Sequence, residues 1–142
     1  MLAKPLHIAA GMQATGQRIA QEKIPTWHAC QGIEYPHRLS LEQCSSEDTA
    51  RYKASLVQGD TLVDLTGGMG VDCFFLSQHV AHTTYVEQQA ELCALARHNF
   101  TCLGQHIAVV NASCQDYLPT MDAVDTIFID PARRDSKGGK VA

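Results

Sequence analysis

Apolar positions change their spacing near residue 60. Before it the spacing is helical or absent. Leu6, Ala9, Ala10, Gln13, Ile19 and Ala20 recur with a loose 3.6-residue period, which predicts a helix over 6–23, weakened by Gly11 and Gly16 and ended by Pro25. Residues 25–41 hold Pro25, Trp27, Gly32, Tyr35 and Pro36 without a period and read as an irregular connection. A second helix opens at Ser45-Ser46-Glu47-Asp48, with Ser45 as N-cap and Asp48 in the position of a capping-box acid. Ala50, Tyr52, Ala54, Leu56 and Val57 continue it, and Gly59 closes it.

From residue 60 short apolar runs alternate with helical patterns. The runs Thr61–Asp64, Thr83–Val86 (ending in Glu87), His106–Val110 and Asp125–Ile129 (ending in Asp130-Pro131) are predicted strands. Between them lie predicted helices over Val71–Gln78 and from about Gln89 to Cys102, and a helical turn around Cys114–Leu118. Leu92, Leu95, Ala96 and Phe100 share one face of the longer helix, and Gly104 follows it. Such alternation predicts an α/β fold: a parallel sheet with right-handed crossovers in the order 3-2-1-4. The predicted organisation is a helical N-terminal segment over 1–59 and a Rossmann-like ligand-binding domain over 60–142, with residues 136–142 as a loose tail.

A hydrophobic content of 45% suffices for a packed core, and 142 residues make one domain's worth of chain. No apolar run reaches membrane-spanning length and no secretory leader is evident, so the cytoplasm is the expected location. The six cysteines form no C-x-x-C pair and read as small core residues in a reducing compartment. His79 and His82 are the one close histidine pair and read as part of a solvated turn rather than a metal site. Charge is uneven along the chain: residues 60–130 carry nine acids against Arg97 alone, whereas 131–142 are net +3. The centre therefore suits a cationic small ligand, and any nucleic acid would be held by the tail and the N-terminal part.

The chemistry concentrates in Asp64-Leu65-Thr66-Gly67-Gly68-Met69-Gly70. A strand running into a glycine turn and then a helix lets a ligand approach the backbone and meet free N–H groups. No lysine lies between Asp60 and Asp72, so this is not a phosphate-binding P-loop. A dinucleotide fingerprint started at Gly68 would need a glycine where Cys73 stands, which weakens a nicotinamide dehydrogenase reading. In an open parallel sheet, ligands bind outside the carboxyl ends of the strands. Those ends carry Asp64, Glu87, the Ala112-Ser113 turn and Asp130. Glu87 suits a ribose diol, because a carboxylate accepts two O–H bonds side by side; its alternative is an acid that starts a helix. Asp64 faces the glycine turn, where it can meet an ammonium group or cap the following helix.

These residues resemble the motifs of class I S-adenosylmethionine-dependent methyltransferases. Asp64, Thr66, Gly68 and Gly70 match motif I with Thr66 in place of a glycine, Tyr85-Val86-Glu87 motif II, Val110-Asn111-Ala112-Ser113 motif III, and Ile129-Asp130-Pro131 motif IV. The Asp-Pro-Ala-Arg version of motif IV is similar to that of bacterial THUMP-like RNA-methyltransferase-type proteins. The stretch from Glu42 to Glu47 is similar to the helix start that precedes motif I in RNA cap guanine-N2 methyltransferases. The resemblance implies a class I methyltransferase sheet with S-adenosylmethionine as cofactor. It places Gly68 and Gly70 beside the cofactor, Asp64 at its amino-acid end, Glu87 on the ribose and Ser113 on the adenine.

Motif IV departs from the Asp/Asn-Pro-Pro-aromatic pattern of enzymes that methylate exocyclic base amines. Asp130 and Pro131 remain to orient a nitrogen acceptor, and Arg133 takes the place of the aromatic, where it can stack on a base or hold a phosphate. The expected function is methyl transfer to a base nitrogen in RNA, with Asp130 and Pro131 at the reaction. The alternative is a cofactor-binding remnant or part of a larger methyltransferase. Class I sheets have about seven strands by the same resemblance, and four are predicted here. The chain is therefore expected to be truncated at its C-terminus, weakly active alone, and prone to self-association through strand 125–129.

Overall fold

The computed structural model describes residues 10–131. A helical N-terminal part contains α1 (Ala10–Lys23), α2 (Pro25–His28), α3 (Arg38–Gln43) and α4 (Glu47–Ala54). The α/β part follows as β1 (Thr61–Asp64), α5 (Val71–Ser77), β2 (His82–Glu87), α6 (Ala90–Cys102), β3 (Ala108–Asn111), α7 (Cys114–Tyr117), a 3-10 turn (Leu118–Thr120) and β4 (Thr126–Phe128). The four strands are parallel in the order β3-β2-β1-β4, as the alternation predicted.

The stretch 25–41 is less irregular than its sequence implied. It contains α2 and the start of α3, each too short to show a period. Packing holds them instead. Trp27 is fully buried and meets the Phe74 ring edge-on at 6.0 Å. Glu47 reaches back to α2, accepting from Thr26 N and Oγ1 at 2.8 Å each, and also accepts from Arg51. The buried Asn99 side chain of α6 pairs with both backbone groups of Glu34 at 2.9 Å.

These contacts make the N-terminal helices one wall of the core. Ala20, Ile24, Trp27, Leu41 and Ala50 pack in the same cluster as Leu62, Phe74, Phe75 and Phe100. A smaller cluster of Val63, Leu65 and Val86, joined by Val110 and Tyr117, covers the opposite face of the sheet. Leu62 and Val63 thus point to opposite faces, as strand pleating requires. Strand β4 pairs with β1 and has no partner on its other side among the described residues. Ile127 and Ile129 are about half exposed, whereas Phe128 packs on the main core.

Two of the six cysteines, Cys73 and Cys93, are buried; the others are only partly so. No described helix is long and apolar enough to cross a membrane. Among the described residues no group of His, Cys, Asp and Glu side chains is placed to hold a metal ion.

Candidate functional site

A cavity of about 650 Å³ opens at the carboxyl edge of the sheet. Its floor is the glycine turn between β1 and α5, and its sides are the ends of β2, β3 and β4. The N-terminal part closes it with residues 40 and 42–45.

The turn is built by close approach. Gly67 N donates to Val86 O at 2.9 Å, drawing the turn onto β2. A Cβ on Gly67 would lie 2.3 Å from the Tyr85 ring, so only glycine fits there. The buried Tyr85 hydroxyl donates to Gly68 O at 2.5 Å, and burial holds this phenol well above its ordinary pKa. Gly70 has φ +94° and leads directly into α5. Among the described residues no side chain caps this helix, so Asp64 is not its cap.

Glu87 is the organiser of the turn. Its Oε1 accepts from Gly68 N at 2.9 Å and its Oε2 from Gln89 N at 2.7 Å. One carboxylate therefore joins the glycine turn to the start of α6 and keeps lone pairs for a ligand. Asn111 braces the strand end by donating to the carbonyls of Glu87 and Gln88 at 3.0 Å.

Asp64 is almost completely buried and lines the cavity floor. Its Oδ1 accepts from Thr66 N at 2.9 Å and lies 3.4 Å from Thr66 Oγ1. Burial pushes its pKa up to about 7; the Thr66 N–H opposes this, and the nearby Asp72 and Asp130 reinforce it. Thr66, the departure from the motif I glycine, uses its hydroxyl to accept from Asp130 N at 2.7 Å. The threonine thus ties the end of β1 to the end of β4.

The structure brings Asp64, Thr66, Gly68, Gly70, Glu87, Asp130 and Pro131 to one cavity. It does not bring Ser113 there. The Ser113 hydroxyl caps α7 by accepting from Asp116 N at 3.0 Å, and the wall after β3 is formed by Ala112, Cys114 and Gln115. Arg133 lies outside the described residues.

Sequence reading missed two members of the site. Asp72, in the first turn of α5, lines the cavity; its Oδ1 is buried and has no partner among the described residues. Lys53 of α4 sits behind it, with Nζ 2.9 Å from Ser45 Oγ, 3.3 Å from Asp72 Oδ2 and 3.5 Å from Asp130 Oδ2. Ser45 also lies 3.1 Å from Asp72. Because Ser45 is engaged there, the cap of α4 falls to Ser46, which accepts from Thr49 N at 3.2 Å. An acid placed one helical turn into motif I was the only signal for Asp72, and nothing local pointed to Lys53.

The fold is the Rossmann-like fold of class I S-adenosylmethionine-dependent methyltransferases, and methyltransferases are among the solved structures it resembles. A candidate methyltransferase from Porphyromonas gingivalis W83 is 32% identical, with a TM-score of 0.78 over 94% of this chain and 36% of that one. An O-methyltransferase from Bacillus cereus, solved with S-adenosylhomocysteine, is 16% identical, with a TM-score of 0.62 over 87% of this chain and 63% of that one. The tRNA (uracil-54, C5)-methyltransferase of Pyrococcus abyssi, also in complex with S-adenosylhomocysteine, is 22% identical, with a TM-score of 0.54 over 61% and 21% of the two chains. This chain thus spans 36% of the length of the 32%-identical relative. No protein-family model and no curated protein matches the sequence.

Proposed function

We propose that the cavity binds S-adenosylmethionine and that the chain takes part in methyl transfer to a base nitrogen in RNA. The carrying observation is the convergence of Asp64, Glu87 and the open glycine turn on one cavity of ligand size. The residues fit the cofactor in chemistry. Glu87 retains acceptor capacity for a ribose diol after its two backbone bonds. The Asp72 oxygen that has no partner among the described residues offers negative charge to an ammonium group, and Asp64 offers a buried carboxyl whose charged form an ammonium would favour. Apolar Met69 and Leu92 line the same cavity and offer surface to a purine ring. That structures of the same fold hold S-adenosylhomocysteine supports the reading by fold-level analogy.

When bound, the cofactor supplies an activated methyl group on a sulfonium. Transfer to an amine is a displacement that depends on alignment and charge placement. In this chain Asp130 is the group that would accept the hydrogens of the acceptor amine and aim its lone pair. The threonine bond to its backbone and the Lys53 contact to its carboxylate fix its position. Pro131 lines the cavity beside it, and Arg133 is proposed to hold a base or phosphate of the acceptor. The RNA reading rests on Asp130-Pro131 and on the basic 131–142 stretch.

A second reading, a cofactor-binding part whose acceptor wall belongs to additional chain, is favoured by the 36% share of the relative that this chain spans. Incubation with methyl-tritiated cofactor and bulk RNA separates the two. Label in RNA that RNase removes supports the transferase reading. Asp130→Ala is then expected to cut incorporation by at least roughly tenfold, about 1.4 kcal/mol, with S-adenosylhomocysteine affinity changed less than about twofold. Equal loss of both would remove Asp130 from the acceptor side.

A further inference from the structure

The cavity is acidic on every side. Glu42, Asp64, Asp72, Glu87 and Asp130 line it, and no Lys, Arg or His among the described residues does. Among the described residues two lysines stand behind this wall: Lys23, which donates to the backbone carbonyls of Leu41 and Glu42 at 2.7 and 2.9 Å, and Lys53, which is paired with two of the carboxylates. The Lys53 ammonium is held by Ser45, Asp72 and Asp130 and lies 5.5 Å from the centre of the Phe128 ring. Its side chain is 28% exposed, so water screens it only in part. The remaining Asp72 oxygen is buried and has nothing to receive among the described residues. A carboxylate oxygen in that state is costly unless a cation or a donor approaches it.

Resting on the reading of this cavity as an S-adenosylmethionine site, we propose that it distinguishes the cationic cofactor from its neutral product by charge. Lys53 sets the strength of that distinction by partly neutralising Asp72 and Asp130. Methyl transfer breaks the bond between the methyl carbon and sulfur, and the electron pair stays on sulfur. The positive charge leaves with the methyl group and is finally released from the acceptor as a proton. The product differs from the cofactor by one methyl group and one positive charge. A ring of carboxylates holds the cation more tightly and lets the neutral thioether go. At separations of ~8 Å and a dielectric between those of a protein surface and water, one unit charge changes affinity by roughly three- to tenfold. Lys53 is a positioning and charge-setting residue in this scheme, since it acts through the two aspartates.

The test compares two ligands that share the nucleoside and the amino-acid end. Sinefungin carries a protonated amine in place of the methylsulfonium, and S-adenosylhomocysteine is neutral at that atom. Equilibrium binding of both to the whole chain is expected to favour sinefungin by at least roughly threefold at low salt, with the ratio falling toward one at about 0.5 M salt. Lys53→Met should widen the ratio by roughly threefold, Lys53→Arg should leave it as in the unmodified protein, and Asp130→Asn should narrow it. A purely structural role for Lys53 would change both affinities together and leave the ratio alone. Equal affinities in the unmodified protein, or a ratio that neither Lys53→Met nor Asp130→Asn moves, would overturn the charge-selection proposal while leaving the cofactor site standing. Binding of neither ligand to the folded chain would overturn the cofactor reading itself.

Discussion

Among the described acids, Asp64 is the one whose chemistry is most altered by its surroundings. A carboxyl buried on the cavity floor, with a single backbone N–H and a more distant hydroxyl for company, is poorly placed to carry a charge. Its pKa of about 7 has a definite consequence for stability. The native chain holds this proton where the unfolded chain has released it, so stability falls as pH rises from the ordinary aspartate pKa toward 7 and is level above. The slope is at most about 1.4 kcal/mol per pH unit. Asp64→Asn keeps an acceptor for Thr66 N and has nothing to titrate. Denaturant titrations at pH 5 and pH 8 should therefore show the variant gaining on the unmodified protein as pH rises, by on the order of 1–3 kcal/mol. A constant difference between the two would show that Asp64 titrates normally. Asp64 and Glu87 were legible as acids at strand ends, because strand position fixes which edge of the sheet they reach. Lys53 was not, because its partners come from α5 and the end of β4 and only the folded chain brings them together. Ser113 is the opposite case: it stands at a strand end, and its hydroxyl makes the local capping bond that sequence offers at any helix start.

At the scale of elements, the glycine turn is a packing solution as much as a ligand site. Gly67 lies against the Tyr85 ring, which itself stacks edge-on with Phe100 at 5.6 Å. Adding one methyl group forces a buried aromatic to move or the turn to lift from β2. Gly67→Ala is expected to destabilise the fold by roughly 2–3 kcal/mol, through overpacking. Gly104, at φ +68° but with open space around its would-be Cβ, is the control; Gly104→Ala should cost about 1 kcal/mol through backbone strain alone. Equal urea midpoints for the two variants would contradict the close-approach argument. Elements were legible where period and punctuation agreed. Strand β1 and helix α6 follow directly from their runs and flanking residues, whereas α2 and α3 depend on Trp27, Leu41 and Glu47 packing against distant parts of the chain.

At the scale of the whole molecule, the N-terminal helices and the sheet share one core, and the N-terminal part supplies a wall of the cavity. The edge at β4 is the feature without a counterpart. Ile127 and Ile129 are exposed beside backbone groups that no described strand receives. The chain is expected to associate through this edge, and Ile127→Lys should shift sedimentation toward the monomer without loss of helical circular dichroism. A monomer at high concentration in the unmodified protein would show that the edge is already satisfied.

Whether the edge of this sheet is an S-adenosylmethionine site organised by Glu87 is decided by calorimetric titration with S-adenosylhomocysteine, with NAD as the contrasting ligand. One saturable site is expected for S-adenosylhomocysteine and none for NAD. In Glu87→Gln, which loses the charge but keeps an acceptor for the glycine turn, affinity should fall by at least roughly tenfold, about 1.4 kcal/mol. Folded protein that binds NAD, or that binds S-adenosylhomocysteine equally well with and without the Glu87 carboxylate, would contradict a site so organised.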